Sequence, residues 1–351
     1  MRFVVNAGMI SATIGLSLNI ASACTDFCLN QSSGYRISAR TMDMESGQIG
    51  YDSWALVVYP RNHQYKSKAP KNRPGLQWTS RYGFVGVTST EADGESSPHD
   101  GLNEKGLGLA MNWLVGSQFG QPTSDDSALQ VKDLALWVLG NCATCAEASE
   151  GLEKLTVWSK DAANEAFHLA IHDAEGTSMV IQWIDGKMNV YDNTAIGIMT
   201  NGPEFPFYIE RIKYYEWQQT LSRPAIEVPG AWYPINRFLR THFIKEGLPA
   251  PNSNDEAITQ AVHILNAVQT PWGAPGTDSS KPSLVDNFDH TTWSVVRDHK
   301  NKVLYFRTVT DQQLHAVDLK KIDMNRRAVL SLEIGKSPSS IAIDVTSSLS
   351  P

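Results

Sequence analysis

The residues best suited to chemistry fall early in the chain: a cysteine at 24, an arginine at 40 and an aspartate at 43. What precedes them sets their role. Arg2 is the sole charge before Asp26, and the stretch from Phe3 to Ile20 is mostly apolar. Ala21-Ser22-Ala23 then places small residues three and one before Cys24. This pattern predicts an export leader over 1–23, removed to leave a mature chain 24–351 in the periplasm or secreted. Cys24 then becomes the first residue and carries a thiol and an α-amine together. The α-amine has an ordinary pKa of about 7.7–8.0, so near neutral pH it can accept a proton from its own thiol. Nucleophile and base come on a single residue, without help from a histidine or a metal. Two alternatives stand. The segment could be a buried first element of the mature protein, or Cys24 could be the acylated anchor of a lipoprotein that binds ligands. The lipoprotein signal prefers Leu three residues before the cysteine, where this chain has Ala21.

A hairpin brings the arginine and aspartate to the cysteine. Cys24 to Leu29 partly alternates, Ser33-Gly34 reads as a tight turn, and Tyr35 to Thr41 alternates again. The second strand returns Arg40 and Asp43 to the neighbourhood of Cys24. A guanidinium beside a thiol favours the thiolate. A carboxylate beside an α-ammonium orients it. An ordinary surface ion pair is the plainer reading of Arg40 and Asp43, and Cys24 at a cleavage site argues against it.

These residues carry a resemblance. Cys24 followed after fifteen residues by Arg40-Thr41-Met42-Asp43 resembles the choloylglycine hydrolase family, which includes penicillin V acylases and bile salt hydrolases. Asp100-Gly101-Leu102-Asn103-Glu104-Lys105-Gly106-Leu107, Leu139-Gly140-Asn141-Cys142, Met199-Thr200-Asn201-Gly202-Pro203 and Asn236-Arg237-Phe238-Leu239-Arg240 resemble further family segments in the same order. The resemblance spans Cys24 to about Leu332. It implies an N-terminal-nucleophile amide hydrolase with a four-layer αββα sandwich, two antiparallel sheets with helices outside. It also implies roles: Cys24 as nucleophile and base, Arg40 against the thiolate, Asp43 on the α-amine, Asn201 as an oxyanion donor and Arg237 completing the charged cluster. The second oxyanion donor falls on the backbone N–H of Trp113. Met42 and the Trp113 ring are the expected substrate contacts.

The chain departs from the better-known members in two places. Trp113 stands where bile salt hydrolases tend to carry Asn and Gram-positive penicillin V acylases Tyr; a tryptophan there favours a flat or apolar acyl group. Asn112 beside it leaves a one-residue slip open, and a core tryptophan is the alternative. Asn201 and Arg237 are only 36 positions apart, whereas Gram-positive relatives carry a longer insertion. The shorter spacing points to the Gram-negative branch, whose members resemble penicillin V acylases and also cleave acyl-homoserine lactones. It leaves a homo-oligomer open.

Composition leaves a mildly acidic globular enzyme or binding protein. The chain has 351 residues, 42% hydrophobic and 19% charged, with 30 Lys and Arg against 37 Asp and Glu for a net charge of −7. No basic footprint for nucleic acid exists, and no later stretch is long and apolar enough to span a bilayer, so no stable membrane anchor is expected. Apolar spacing predicts strands at Trp54–Tyr59, Tyr82–Thr88, Gly106–Trp113, Phe167–His172, Ser178–Ile184, Met188–Tyr191, Trp293–Asp298 and Lys302–Thr308. It predicts helices at Ser127–Leu139, Ala146–Leu155, Phe205–Leu221, Pro234–Glu246 and Glu256–Val268. Pro60 to Gly75, with five cations, reads as a loop, and Pro271 to Pro282 as a surface connection. The tail after Gly335 reads as fraying. Strands, then helices, then strands is not a βαβ order and suits α+β layers. The remaining signals carry less. Cys142-Ala143-Thr144-Cys145 lacks the second half of a zinc site and leaves a local disulfide open. Cys28 reads as core, and His168 and His172 have no third ligand. Asn30-Gln31-Ser32 is a glycosylation triplet only in a eukaryotic host. No metal and no cofactor are expected; the expected partner is a small-molecule amide.

Overall fold

The computed structural model describes residues 24–30, 34–45, 53–90, 97–162, 165–221, 228–272, 274 and 289–335. The leader, the tip of the first turn, the glycosylation triplet beyond Asn30, the Pro271–Pro282 connection from 275 onward and the tail after Gly335 lie outside the described residues.

Two antiparallel sheets lie face to face. The first orders β14 (Ile198–Met199), β1 (Thr25–Asn30), β2 (Arg36–Glu45), β15 (Asp289–Asp298), β16 (Val303–Thr308) and β17 (His315–Asp318). The second orders β13 (Lys187–Asp192), β12 (Ser178–Ile184), β11 (Phe167–His172), β8 (Gly108–Trp113), β7 (Asp100–Asn103), β6 (Phe84–Ser89), β3 (Trp54–Tyr59) and β18 (Leu330–Glu333). Helices α3 (Phe205–Leu221), α4 (Pro234–Glu246) and α5 (Asn254–Val268) cover the first sheet. Helices α1 (Leu134–Asn141) and α2 (Cys145–Leu152) cover the second. This is the four-layer αββα arrangement of an α+β fold.

Strand alternation makes the layers. On β1, Phe27 and Leu29 pack with Phe238, Leu239 and Ile264 of the outer helices. Cys24, Asp26 and Cys28 therefore turn to the opposite face, between the sheets. There Cys24 joins Met42, Trp54, Leu102 and Trp293 in one buried cluster. The helices start where their residues satisfy the first amides: Pro234 opens α4, and the Ser253 hydroxyl accepts from Glu256 N at 3.1 Å at the start of α5.

The Asp100–Leu107 segment has a structural reason for its residues. Asn103 Oδ1 accepts from Lys105 N at 3.0 Å and Leu107 N at 2.9 Å, while its Nδ2 donates to the Leu139 and Cys142 carbonyls. One side chain closes the β7–β8 turn and caps α1. Gly106 sits at φ +89°, and a Cβ there would lie 2.2 Å from the His299 carbonyl oxygen.

Two expectations are corrected. Pro60 to Gly75 is no loop: β4 (Gln64–Ala69) and β5 (Arg73–Thr79) form a hairpin, with Tyr65 stacked on Trp78 at 5.2 Å. Lys66 and Lys68 occupy the exposed alternate positions, so the cations mark the outer face of a strand. Ser127–Leu139 is not one helix. β9 (Ala128–Gln130) pairs in parallel with β10 (Thr156–Trp158), and α1 begins only at Leu134. The Ser67 hydroxyl accepts from Gln130 N at 2.8 Å and donates to Asp133 Oδ2 at 2.7 Å, and this tertiary tie overrides the local helical spacing. Among the described residues no helix is long and apolar enough to cross a membrane.

Candidate active site

The β1–β2 hairpin builds the centre. Its register pairs Thr25 with Thr41 and Asp26 with Arg40, so Met42 falls opposite Cys24. The Cys24 sulfur lies 3.6 Å from Met42 Sδ, 3.8 Å from the Asp43 carbonyl oxygen and 3.7 Å from Arg40 Nη2. Arg40 is fully buried and donates through Nη1 to the His99 carbonyl and through Nη2 to the Met111 carbonyl, both at 2.5 Å. Its guanidinium lies over the Trp293 ring at 5.3 Å. Packing and carbonyls thus aim a fixed cation at the sulfur, as the residue spacing predicted.

Asp43 is fully buried one position beyond the partner of Cys24. Its carboxylate accepts from the Thr291 hydroxyl at 2.5 Å and from the Thr270 hydroxyl at 3.3 Å. These two threonines had no signal in sequence; they reach Asp43 only because β15 pairs with β2 and α5 ends beside both.

Arg237 and Asn201 come from elements far along the chain. Arg237, buried on α4, donates through Nη1 to the Cys24 carbonyl at 2.7 Å and to the Thr25 hydroxyl. Its Nη2 donates to Asn201 Oδ1 at 3.3 Å. A guanidinium only donates, so the Asn201 oxygen faces Arg237 and the amide nitrogen faces away. That nitrogen is buried and carries no hydrogen bond among the described residues. The Tyr208 hydroxyl reaches both the Asn201 and Gly202 carbonyls, at 2.8 and 2.7 Å, and holds this backbone. Burial pushes the Tyr208 phenol up, which keeps it a donor.

Trp113 ends β8. Met111 N donates to the His99 carbonyl and Leu114 N to the Ala166 carbonyl, so strand alternation turns the Trp113 N–H to the same side as that of Met111, the side of Arg40. The ring is half-buried and meets Phe167 edge-on at 5.5 Å; Phe167 meets His99 at 5.9 Å, and His99 meets Trp54 at 5.5 Å. The structure therefore gathers Cys24, Arg40, Met42, Asp43, Asn201 and Arg237 about one residue, with Trp113 linked through Met111 and Arg40.

The other cysteines lack Arg40 beside them, although against its burial His172 and Lys245 bring the Cys28 thiol down. Cys28, Cys142 and Cys145 are buried free thiols, so the Cys-x-x-Cys pair is not a disulfide here. Burial pushes the Cys142 thiol up to about 12, and burial with Asp173 pushes the Cys145 thiol up. Among the described residues no group of three or more metal-binding side chains assembles.

A buried thiol at the head of the central hairpin, between two antiparallel sheets with helices outside, defines an N-terminal-nucleophile hydrolase fold. A sequence profile of the linear amide C–N hydrolases, choloylglycine hydrolase family, matches residues 24–332, and the chain belongs to that family. It is 29% identical to the penicillin V acylase of Pectobacterium atrosepticum over 95% of this chain and 90% of that one. It is 25% identical to the bile salt hydrolase/transferase of Clostridium perfringens over 90% and 98%. The penicillin V acylase structure from Agrobacterium tumefaciens superposes with a TM-score of 0.74 at 28% identity, covering 88% of this chain and 91% of that one. The conjugated bile acid hydrolase of Clostridium perfringens shares the fold, with a TM-score of 0.73. The protein is an amide C–N hydrolase.

Proposed function

We propose that the chain is exported, loses residues 1–23 and acts as an acylase on penicillin V, on acyl-homoserine lactones, or on both. The observation that carries this reading is the set of contacts on Cys24: Arg40 3.7 Å from its sulfur, and Arg237 bridging its carbonyl and the Asn201 side chain. In the mature enzyme the Cys24 sulfur attacks the amide carbonyl and its own α-amine takes the thiol proton. The carbonyl oxygen becomes an oxyanion, met by Asn201 Nδ2 and the Trp113 N–H. The ammonium returns its proton to the leaving nitrogen, the C–N bond breaks, and a thioester remains on Cys24. Water then adds to the thioester carbonyl and gives its proton to the amine. The C–S bond breaks, and the acid leaves. Asp43, steadied by two threonine hydroxyls, holds the ammonium in place.

Trp113, Phe167 and His99 offer a run of aromatic edges, which supports a flat or apolar acyl group such as phenoxyacetyl or a fatty chain. Conjugated bile salts are the second reading, favoured by the relative in Clostridium perfringens. An acylated lipoprotein anchor fits less well, because the Cys24 side chain is packed in the core beside Met42 and Trp293.

Intact mass and N-terminal sequencing of the exported protein test the maturation step. A free Cys24 amine is expected; another start, or a diacylglyceryl adduct, refutes it. Cys24→Ala should abolish turnover with the fold intact, and retained turnover sinks the mechanism. Amides differing only in their acyl group, followed by fluorescamine detection of the released amine, rank the substrates.

A further inference from the structure

A chain of buried charges runs between the sheets behind the nucleophile, and the reaction above leaves it unused. Arg297, fully buried on β15, forks onto Asp100 through Nε at 2.9 Å and Nη2 at 2.6 Å. The same Nη2 reaches Asp26 Oδ2 at 2.8 Å, and Nη1 donates to the Ser38 hydroxyl at 2.6 Å. Asp26 Oδ1 lies 2.6 Å from His172 Nε2. Burial pushes the Asp100 carboxyl up against the pull of Arg297 and Arg40, and the fork that engages both of its oxygens favours the carboxylate form. Asp100 also stands 3.6 Å from Arg40 Nη1, close enough to pair with its charge yet longer than a hydrogen bond.

The position of Asp100 matters because of what else Arg40 touches. Its short hydrogen bonds go to two backbone carbonyls, which orient the guanidinium and cancel no charge. The ion pair with Asp100 and the approach to the Cys24 sulfur therefore draw on one cation. We propose that Asp100, restrained by the Arg297 fork, is a positioning residue that sets how much of the Arg40 charge is left for the Cys24 sulfur. This rests on the reading of Cys24 as nucleophile. Asp100 released from Arg297 would close on Arg40 and weaken its field at the sulfur. A neutral side chain at 100 would leave that field stronger. The two perturbations act in opposite directions, which a purely structural role would not produce.

The other charged groups around Arg40 and Cys24 do not change the sign. Asp43 on β2 is bound to two threonine hydroxyls, and Arg237 on α4 is bound to the Cys24 carbonyl. Burial holds His99 down at about 4 and His168 at about 3, so both imidazoles are neutral through the working range. His172 is disfavoured as a cation by burial, but Asp26 and Cys28 raise it to about 9, and it lies at the far end of the chain.

The test is the rate of Cys24 alkylation by iodoacetamide against pH, on mature protein, read from the mass of the Cys24 peptide. Asp100→Asn should move the midpoint down by about one pH unit. Arg297→Lys, whose ammonium lacks the fork, should move it up. Ser38→Ala removes one Arg297 contact, together with the 2.8 Å partner of the neutral His299 ring, and should also move it up, by less; it serves if either charged variant fails to fold. Midpoints that stay within about 0.2 unit of wild type, or that move the same way for Asp100→Asn and Arg297→Lys, overturn the proposal. Failure of the parent reading would appear elsewhere, as turnover retained by Cys24→Ala, because alkylation does not require hydrolysis.

Discussion

The Asn201 side chain offers the sharpest test of how the site handles the oxyanion. Arg237 Nη2 fixes the orientation of the amide by taking Oδ1 at 3.3 Å, which leaves Nδ2 as the donor. Asn201→Ala removes that donor and a long, weak bond to Arg237. Loss of one oxyanion donor costs about 10²–10³ in turnover, or roughly 3–4 kcal/mol of transition-state stabilisation. Because the donor acts on charge that develops only after attack, the loss should fall on kcat, with KM within about threefold of wild type. Tyr208→Phe tests the support behind Asn201. It leaves the Asn201 and Gly202 carbonyls without their shared hydroxyl and should lower stability by about 1–3 kcal/mol. By loosening the same donor it should lower kcat about tenfold. The double variant should turn over no more slowly than Asn201→Ala alone, since both changes act through one amide. The assay is steady-state release of primary amine from penicillin V, with Tm measured on each variant. Asn201→Ala within about threefold of wild-type kcat, or a double variant that shows the product of the single losses, would refute the assignment of Asn201 as donor.

Three further outcomes follow from other contacts. Thr291→Val removes the 2.5 Å donor to buried Asp43 while keeping the shape of the side chain, and should lower both kcat and stability, the latter by about 1–3 kcal/mol in a urea titration; unchanged turnover would separate Asp43 from the reaction. Gly106→Ala must strain a φ of +89° and push on the His299 carbonyl, so its urea midpoint should fall well below wild type; a neutral result would show that the turn can rebuild. Burial holds His168 and His299 at about 3, below the 6.5 of an exposed imidazole. In that window the unfolded chain binds more protons than the folded one, so Tm should fall as pH drops from about 6.5 toward 4. His168→Gln should flatten that slope, and an unchanged slope would mean that His168 does not contribute to it.

The placement of the hairpin residues was legible because it is local. Cys24, Arg40 and Asp43 lie on two adjoining strands, and alternation alone returns them to one another. Asn201, just past β14, and Arg237 on α4 came only through the family resemblance, since no spacing in one chain says that Nη1 of a helix residue will meet the Cys24 carbonyl. Hidden altogether were residues that act through pairing of distant strands: Thr291, Arg297, and Asp26 with its partner His172. Their sequence mark is faint, a polar residue at an alternate position of an otherwise apolar strand. Asp26 shows it between Cys24 and Cys28, and Arg297 shows it after Trp293 and Val295. Buried charge at such positions is costly unless a partner meets it, so each one implies another on the facing sheet. The two misread segments went wrong for the same reason. Lysines interleaved with Tyr65 and Ser67 looked like a loop, and Ala128–Gln130 looked helical, because what fixes both as strands is contact from elsewhere in the chain. In this fold the strand partner decides which face of a residue is buried, and buried facing positions are where both the reaction centre and its supporting charges are assembled.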